Sequence, residues 1–134
     1  MRYLGIDFGI KRVGLALSDP GGKLAFPLRT IFRTTREEFF STLLEAIEEN
    51  KVQAIVLGIP YGLNGQITPG TRQALNFLDS LKRRVGLPVF TLDESLSTLE
   101  AEGLLRQAGK KKRSQEAVDQ HAAAVILQRF LDDS

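Results

Sequence analysis

The apolar and polar residues of the first part of the chain predict short strands joined by turns. Residues 2–8 form an apolar run that one acid interrupts, and residues 13–17 form a second run after a short turn. Residues 18–22, Ser-Asp-Pro-Gly-Gly, are a strong chain-reversal signal, because proline and glycine supply the backbone angles that turns need. Residues 23–27 can then return as a third strand. We therefore predict an antiparallel meander over residues 2–27.

Helical spacing begins after the meander. Thr35 and Glu38 form a capping-box pattern, and apolar residues follow at helical intervals until Asn50, which ends the predicted helix. Residues 53–59 (QAIVLGI) are almost all apolar, which is typical of a strand buried on both faces. The glycine-rich residues 61–71 follow as a loop, and in an open α/β sheet ligands bind at this end of the strands.

The rest of the chain alternates between helices and strands. The pattern first predicts a helix with apolar residues from Ala74 to Val85 that ends at Gly86, and then a short buried strand over 87–92. A helix capped by Ser95 or Ser97 follows and ends at Gly109. A basic loop over 110–113 leads to a last helix from Ser114 to about Leu131. This order predicts an α/β fold with a mixed five-stranded sheet, three antiparallel strands then parallel strands, and helices on both faces. The length of 134 residues predicts a single domain over 1–134.

Positive charge is clustered, although the net charge is only +2. The clusters are Lys110, Lys111, Lys112 and Arg113, then Lys82, Arg83 and Arg84, and a looser set of Arg29, Arg33 and Arg36. Such clusters are typical of a polyanion-binding surface, and solvated helix ends are the alternative interpretation. Cysteine is absent, which excludes disulfides and thiolate metal sites. No run approaches the ~20 apolar residues that span a bilayer and no signal-peptide pattern opens the chain, so we expect a cytoplasmic protein without membrane contact.

Three acidic positions need a chemical explanation. Asp7 lies inside the first apolar strand, Asp93 and Glu94 end the last strand, and Asp119 lies on the apolar stripe of the last helix. Burying an acid without compensation is unfavourable, and converging carboxylates repel one another unless a cation binds them. Oxygen ligands suit Mg²⁺ or Mn²⁺, and with a phosphodiester substrate two such ions can activate a water molecule and stabilise the leaving oxygen. The joint placement predicts a metal site, with either Asp93 or Glu94 as a ligand.

Each acid also has a simpler explanation. Asp7 can pair with Lys11 or Arg12 in the adjacent turn, Asp119 can be an acid that the helix dipole favours, and Asp93-Glu94 can cap a helix. Lys11 and Arg12 are equally compatible with contacts to a scissile phosphate.

Other polar residues carry a weaker signal. His121 lies two positions after Asp119 and so points away from it on a helix, which favours a packed or surface residue over a catalytic base. Tyr61 and Asn64 lie in the loop where a substrate can bind, whereas the glycines of that loop serve turn geometry.

Four motifs in this order resemble the YqgF family. They are GIDFGIKRVGLALSD at 5–19, GIPYGLNG at 58–65, PVFTLDESLST at 88–98 and AVDQHAAAVILQRFLD at 117–132. That family comprises small bacterial proteins of the ribonuclease H-like superfamily, described as pre-16S rRNA nucleases and formerly as homologues of Holliday-junction resolvases. The resemblance covers almost the whole chain, and the combination of motifs is specific.

The resemblance implies a ribonuclease H-like fold and a metal-dependent endonuclease that matures the 5′ end of 16S rRNA with Mg²⁺ or Mn²⁺. It implies an acidic triad of Asp7, Glu94 and Asp119, where Glu94 belongs to the motif D-E-x-x-[ST]. The family usually has arginine after the D-E pair, and this chain has Ser95. The departure affects substrate affinity or rate more than the fold. Lys11, Arg12 or the basic residues 110–113 can supply the missing charge.

Other functions stay open. The same triad would serve a resolvase of four-way DNA junctions, and a non-catalytic RNA- or ribosome-binding module of the same fold is compatible with Ser95. An ATP-dependent phosphotransferase of the sugar-kinase and actin-like group shares a G-I-D-x-G opening, but it usually has threonine or serine after Gly9 and needs a second domain. The implied partners are nucleic acid and the small ribosomal subunit. Among nucleic acids, pre-16S rRNA is favoured over branched DNA. We expect a monomer or a weak dimer.

Overall fold

A computed structural model of the chain describes residues 1–94 and 115–133. Its strands are β1 (Tyr3–Phe8), β2 (Arg12–Ser18), β3 (Ala25–Phe32), β4 (Ala54–Ile59) and β5 (Val89–Asp93), and its described α-helices are α1 (Arg36–Glu49), α2 (Pro69–Arg84) and α3 (Gln115–Asp132). The sheet order is β3-β2-β1-β4-β5. Strands β1, β2 and β3 pair antiparallel, whereas β4 pairs parallel with β1 and β5 pairs parallel with β4. The predicted mixed five-stranded sheet is confirmed.

The two faces of the sheet contact different helices. All residues of β4 are buried, as the run QAIVLGI predicts. Because successive side chains of a strand point to opposite faces, Ile55 and Leu57 join the core beneath α1 and α2, and Val56 joins the core beneath α3. The prediction of helices on both faces is therefore also confirmed.

Helix α3 lies unusually close to the sheet, because β1 presents a glycine to it. A Cβ atom built on Gly5 would lie 2.7 Å from Cβ of Leu127 and 3.0 Å from the carbonyl oxygen of Ala123. Real side chains do not tolerate such distances, so the glycine permits the contact. The close approach brings polar residues of α3 to the carboxyl end of β1.

The predicted bounds of the third strand were wrong. Strand β3 begins at Ala25 rather than residue 23 and continues beyond Pro27 to Phe32. Proline cannot donate to a strand ladder, but β3 is an edge strand, where a missing N–H is tolerated. The register also shifts at Leu15 and Ala16, which pair with Arg29 and Pro27 respectively and leave Leu28 as an extra residue.

Helix ends follow their caps. Thr35 accepts a hydrogen bond from the backbone N–H of Glu38, and Asn50 is the C-cap of α1, as predicted. Helix α2 begins inside the predicted loop 61–71, because Thr68 and Thr71 form a reciprocal capping box and Pro69 occupies the first turn. The predicted start of this helix was therefore too late.

Strand β5 is an edge strand rather than the buried strand that was predicted. It pairs with β4 on one side, and Phe90 is 42% exposed. The helix predicted from Ser95 or Ser97 to Gly109 and the basic loop 110–113 lie outside the described residues. Within residues 1–94 and 115–133, no helix combines the length and the apolar character that crossing a bilayer requires.

Candidate active site

The candidate site is built around Asp7, near the carboxyl end of β1. In the sheet, Asp7 pairs with Gly14 of β2 on one side and with Gly58 of β4 on the other. A glycine on each side leaves the space next to the carboxylate free of side chains. The face that carries Asp7 is the one that α3 covers, since Gly5 two residues earlier contacts that helix.

The two glycines make room for two further acids. A Cβ atom on Gly14 would overlap the backbone carbonyl of Asp119 in α3. A Cβ atom on Gly58 would lie 3.0 Å from both Cβ and Oε2 of Glu94, which follows β5. The sheet thus admits Asp119 and Glu94 to the surroundings of Asp7 because it lacks side chains at these two positions.

Gly14→Ala should therefore destabilise the protein. The added methyl group forces α3 away from the sheet, and overpacking of this kind costs about 1–3 kcal/mol of unfolding free energy. Urea denaturation measures the change. Gly86→Ala is the matched control, because a Cβ there meets nothing within 4 Å, and its effect should stay within about 0.5 kcal/mol. Equal stability of the two variants would contradict the close approach of α3.

Asp7 and Glu94 form a coupled pair of carboxyl groups. Glu94 is 7% exposed, and its backbone N–H donates to the carbonyl of Ile59 at 3.1 Å. Burial, a side-chain hydrogen bond with Asp7 and the negative charges of Asp7 and Asp93 together raise the pKa of Glu94 to about 10. Burial also raises the pKa of Asp7, and the charge of Asp119 raises it further, whereas the hydrogen bond from Glu94 lowers it. Because the hydrogen bond between them raises the pKa of Glu94 and lowers that of Asp7, Glu94 is the partner that carries the proton and donates it.

Asp119 is held by two neighbours. Its Oδ2 accepts a hydrogen bond from Nε of Arg12 at 2.9 Å, in an ion pair whose side chains are 29% and 15% exposed for Arg12 and Asp119. Its Oδ1 accepts from Nε2 of Gln115 at 3.0 Å. Arg12 therefore pairs with Asp119 from the last helix, and not with Asp7 as the simpler explanation had it.

The ligand atoms of these acids suit a hard divalent cation. Their arrangement, however, does not form a complete metal site. Carboxylate oxygens are the ligands that Mg²⁺ and Mn²⁺ prefer. The hydrogen-bonded pair of Asp7 and Glu94 supplies such oxygens side by side. Asp119 lies near enough for its negative charge to raise the pKa of Asp7. Among residues 1–94 and 115–133, however, no three His, Cys, Asp or Glu side chains are grouped as a ready metal site. Arg12 and Gln115 occupy the oxygens of Asp119 instead.

The other predicted residues lie in different settings. Lys11 is exposed in the turn after β1, and Asp93 is exposed where Glu94 is buried. Nδ1 of His121 lies 3.1 Å from the carbonyl oxygen of Ala117, within its own helix. Tyr61 packs partly on the core beneath α1 and α2, and Asn64 is exposed with a positive φ of 55°. Lys110, Lys111, Lys112 and Arg113 lie outside the described residues.

Three residues that shape the site were not predicted from the sequence. Gly14 and Gly58 lie inside strands, where a glycine often marks a close approach of another group, and that signal was available. Arg33 was assigned only to a loose basic cluster, but its Nη1 donates to the carbonyls of Gly9 at 3.1 Å and Ile10 at 2.8 Å. It thereby fixes the turn between Asp7 and Arg12, and no sequence signal identified that role.

Curated relatives match the chain along nearly its full length. One from Nitratidesulfovibrio vulgaris (strain DSM 19637 / Miyazaki F) is 53% identical over 133 residues, which cover 98% of this chain and 94% of the relative. One from Lawsonia intracellularis is 43% identical and covers 100% of this chain and 95% of the relative. Both carry the provisional name pre-16S rRNA nuclease.

Solved structures share the fold at low sequence identity. Thermus thermophilus RuvC in complex with a Holliday junction substrate has a TM-score of 0.61 at 17% identity, covering 99% of this chain and 95% of that chain. The fowlpox virus Holliday junction resolvase has a TM-score of 0.59 at 11% identity and is covered completely, as is this chain. These likenesses establish the ribonuclease H-like fold that the motifs implied. The family model described as RuvX: Holliday junction resolvase matches residues 1–133, and the chain belongs to that family, which the motif resemblance named YqgF.

Proposed function

We propose that this protein is a metal-dependent endonuclease that hydrolyses phosphodiester bonds in the 5′ leader of pre-16S rRNA. The observation that carries the proposal is the pair of half-buried Asp7 and buried Glu94, with Asp119 beside it, at the carboxyl ends of β1 and β5. Two neighbouring carboxyl groups with raised pKa values in a glycine-lined site are costly to keep for stability alone, and perturbed acids of this kind cluster at functional sites.

Asp7, Glu94 and Asp119 would hold the cation. When bound, Mg²⁺ or Mn²⁺ supplies activation of the attacking water molecule and stabilisation of charge on the leaving oxygen. The chain's own residues hold the acids in place: Arg12 and Gln115 orient Asp119, and Arg33 fixes the turn that carries Lys11 and Arg12. Lys11, exposed in that turn, is placed to contact a substrate phosphate and so to replace part of the charge that Ser95 lacks.

Substitutions of Arg12 distinguish between a role in positioning Asp119 through Nε and a role of its positive charge alone. If Arg12 positions Asp119 through Nε, both Arg12→Lys and Arg12→Ala should lower kcat by about 10–100-fold with little change in KM, as loss of an outer-shell partner does. Lysine has no donor at the Nε position and cannot restore the contact. Single-turnover and steady-state cleavage measure the split, with Arg29→Lys, an exposed residue of β3, as the unchanged control. Full activity in Arg12→Lys would show that only the charge matters.

RNA is the proposed substrate because the full-length relatives at 43–53% identity are named for pre-16S rRNA. The description of the family model and the resolvase fold favour a second candidate, the four-way DNA junction. Acidic phosphodiester chemistry serves either polymer. Action on the small ribosomal subunit in the cytoplasm, as a monomer or weak dimer, belongs to the same proposal.

One experiment tests the function. Purified protein is incubated with a pre-16S rRNA 5′-leader substrate and with a four-way DNA junction, each in Mg²⁺, in Mn²⁺ and in EDTA. Cutting of the leader that needs the metal and exceeds cutting of the junction supports the proposal. Preferential cutting of the junction supports the resolvase. Tight binding of RNA with no cutting in either metal would instead indicate a non-catalytic binding module.

A further inference from the structure

The fold brings two of the basic clusters together around one serine. Arg36, at the start of α1, donates from Nη2 to Oγ of Ser80 at 2.7 Å, and Arg83 donates from Nη2 to the same oxygen at 3.3 Å. Arg84 donates from Nη1 to the carbonyl oxygen of Ser80 at 3.0 Å. Arg36 lies 44 positions before Ser80 in the sequence, whereas Arg83 and Arg84 follow Ser80 by three and four positions.

Three guanidinium groups that converge on one neutral residue repel one another. Ser80 is 2% exposed and supplies dipoles but no charge. Arg84 lies over the ring of Phe40, with Cζ 4.1 Å from the ring centroid, which offsets part of the repulsion. Among the described residues, no carboxylate forms an ion pair with any of the three arginines. Guanidinium groups match the geometry of phosphate and carboxylate oxygens, and a nucleic-acid substrate supplies phosphate.

A pocket of about 480 Å³ lies against Arg36 and against Ser80, the residue to which all three arginines donate. Arg33, Arg36 and Ser80 line it, with the amide side chains of Gln73 and Asn76 and the ring of Phe77. Its volume lies in the range of small-ligand sites, which suits one nucleotide and is too small to enclose a double helix. Amide side chains and arginines are the groups that recognise base edges and phosphates.

The pocket adjoins the candidate active site through β1, the strand that carries Asp7. Phe8, the residue after Asp7, and Ile10 of the following turn line the pocket. Because side chains alternate along a strand, Phe8 faces α1 and α2 whereas Asp7 faces α3. The pocket and the carboxylates therefore lie at the same end of β1, on opposite faces of the sheet, with the turn 9–11 between them.

We propose that this arginine pocket, lined by Arg33, Arg36, Ser80, Gln73 and Asn76 and flanked by Arg83 on Ser80, binds one unpaired nucleotide of the substrate strand next to the bond that is cut. Its phosphate is held by Arg36 and Arg83, and its base enters the pocket towards Gln73 and Asn76. The strand reaches it across the turn that carries Lys11. This inference rests on the proposed nuclease function, but it concerns a binding site and can be tested without cleavage.

The test is RNA affinity in EDTA. Arg36→Gln/Arg83→Gln removes two charges from the pocket, and Lys23→Gln/Lys51→Asn removes two exposed charges elsewhere, at the end of the sheet opposite to Asp7. Asparagine suits Lys51 because its φ is 52°. Fluorescence anisotropy measures Kd for a single-stranded RNA and for the same RNA as a duplex, at several salt concentrations, after thermal unfolding has shown that both variants fold.

The pocket variant should bind single-stranded RNA at least about tenfold more weakly than the control variant, because two charge-assisted contacts are lost. The slope of log affinity against log salt should fall by roughly 0.7 per lost phosphate contact. Asn76→Ala should change the preference among homopolymer RNAs without changing the slope. Equal affinities of the two double variants would overturn the inference, and so would an equal loss for duplex and single strand.

The outcomes also distinguish this inference from the proposed function. Loss of RNA binding in the pocket variant, with no cleavage by the wild-type protein in any metal, would preserve the pocket and refute the nuclease. If the wild type cleaves RNA and the pocket variant binds and cleaves it equally well, the nuclease function stands and the nucleotide-binding pocket is refuted.

Discussion

Glu94→Gln is expected to stabilise the folded protein, increasingly so as the pH rises. The pKa of Glu94 is raised from 4.5 to about 10 by its burial and by Asp7, so the folded protein keeps a proton that the unfolded chain loses. The wild type therefore loses stability as the pH rises from about 4.5 towards 10. Glutamine is neutral and can still donate to Asp7, so the variant escapes this loss. At pH 9 and without divalent cations, we expect a gain of at least about 2 kcal/mol.

Urea denaturation in EDTA at pH 6, 7.5 and 9 measures this difference. The matched control is Glu49→Gln, at the exposed end of α1, whose stability relative to the wild type should not depend on pH in this way. A variant that is less stable than the wild type at pH 9, or a difference that stays constant with pH, would contradict the coupled pair.

Asp7→Asn is expected to abolish most of the cleavage. Loss of an outer-shell partner alone costs about 10–100-fold, so loss of a ligand at the centre of the site should lower the rate by more than about 100-fold. The fold should survive, because asparagine has the same shape and its amide oxygen can still accept the hydrogen bond from Glu94, and destabilised sites commonly gain stability when function is removed. Metal-dependent cleavage of the substrate that the wild type prefers measures the rate.

Two further variants make the result specific. Asp133→Asn removes an exposed acid far along the chain and should cleave like the wild type. Asp93→Asn compared with Glu94→Gln decides between the neighbouring acids, and the buried Glu94 should be the one whose loss matters more. Cleavage by Asp7→Asn within about tenfold of the wild type would remove this residue from the active site, since even an outer-shell loss costs that much.

The acids of the candidate site could be found in the sequence because each occupies a position that favours an apolar residue. Asp7 interrupts a strand, and Asp119 shares a helical stripe with Ala123 and Ile126, both of which are buried. The order of elements placed these acids at one end of the sheet. The strands and helices could be predicted from hydrophobic periodicity alone, because that pattern depends only on residues that are close in the sequence.

What the sequence could not supply depends on contacts between distant residues. Arg12 and Asp119 are 107 positions apart, and no local pattern indicates which cation orients which acid. The glycines at 14 and 58 give a signal only once the strand register places them beside Asp7. Strand β3 was misjudged because Pro27 is a strand breaker except at an edge, and edge position is a property of the assembled sheet.

Isothermal titration calorimetry of Mn²⁺ binding to the free protein shows whether Asp7 and Glu94 are metal ligands. The wild type should bind Mn²⁺, Asp7→Asn and Glu94→Gln should each bind it at least about tenfold more weakly, and Asp133→Asn should bind as the wild type does, because the first two remove ligand oxygens and the third does not. Binding of equal strength in the wild type and in Asp7→Asn would contradict the claim that these carboxyl groups form the metal-binding active site.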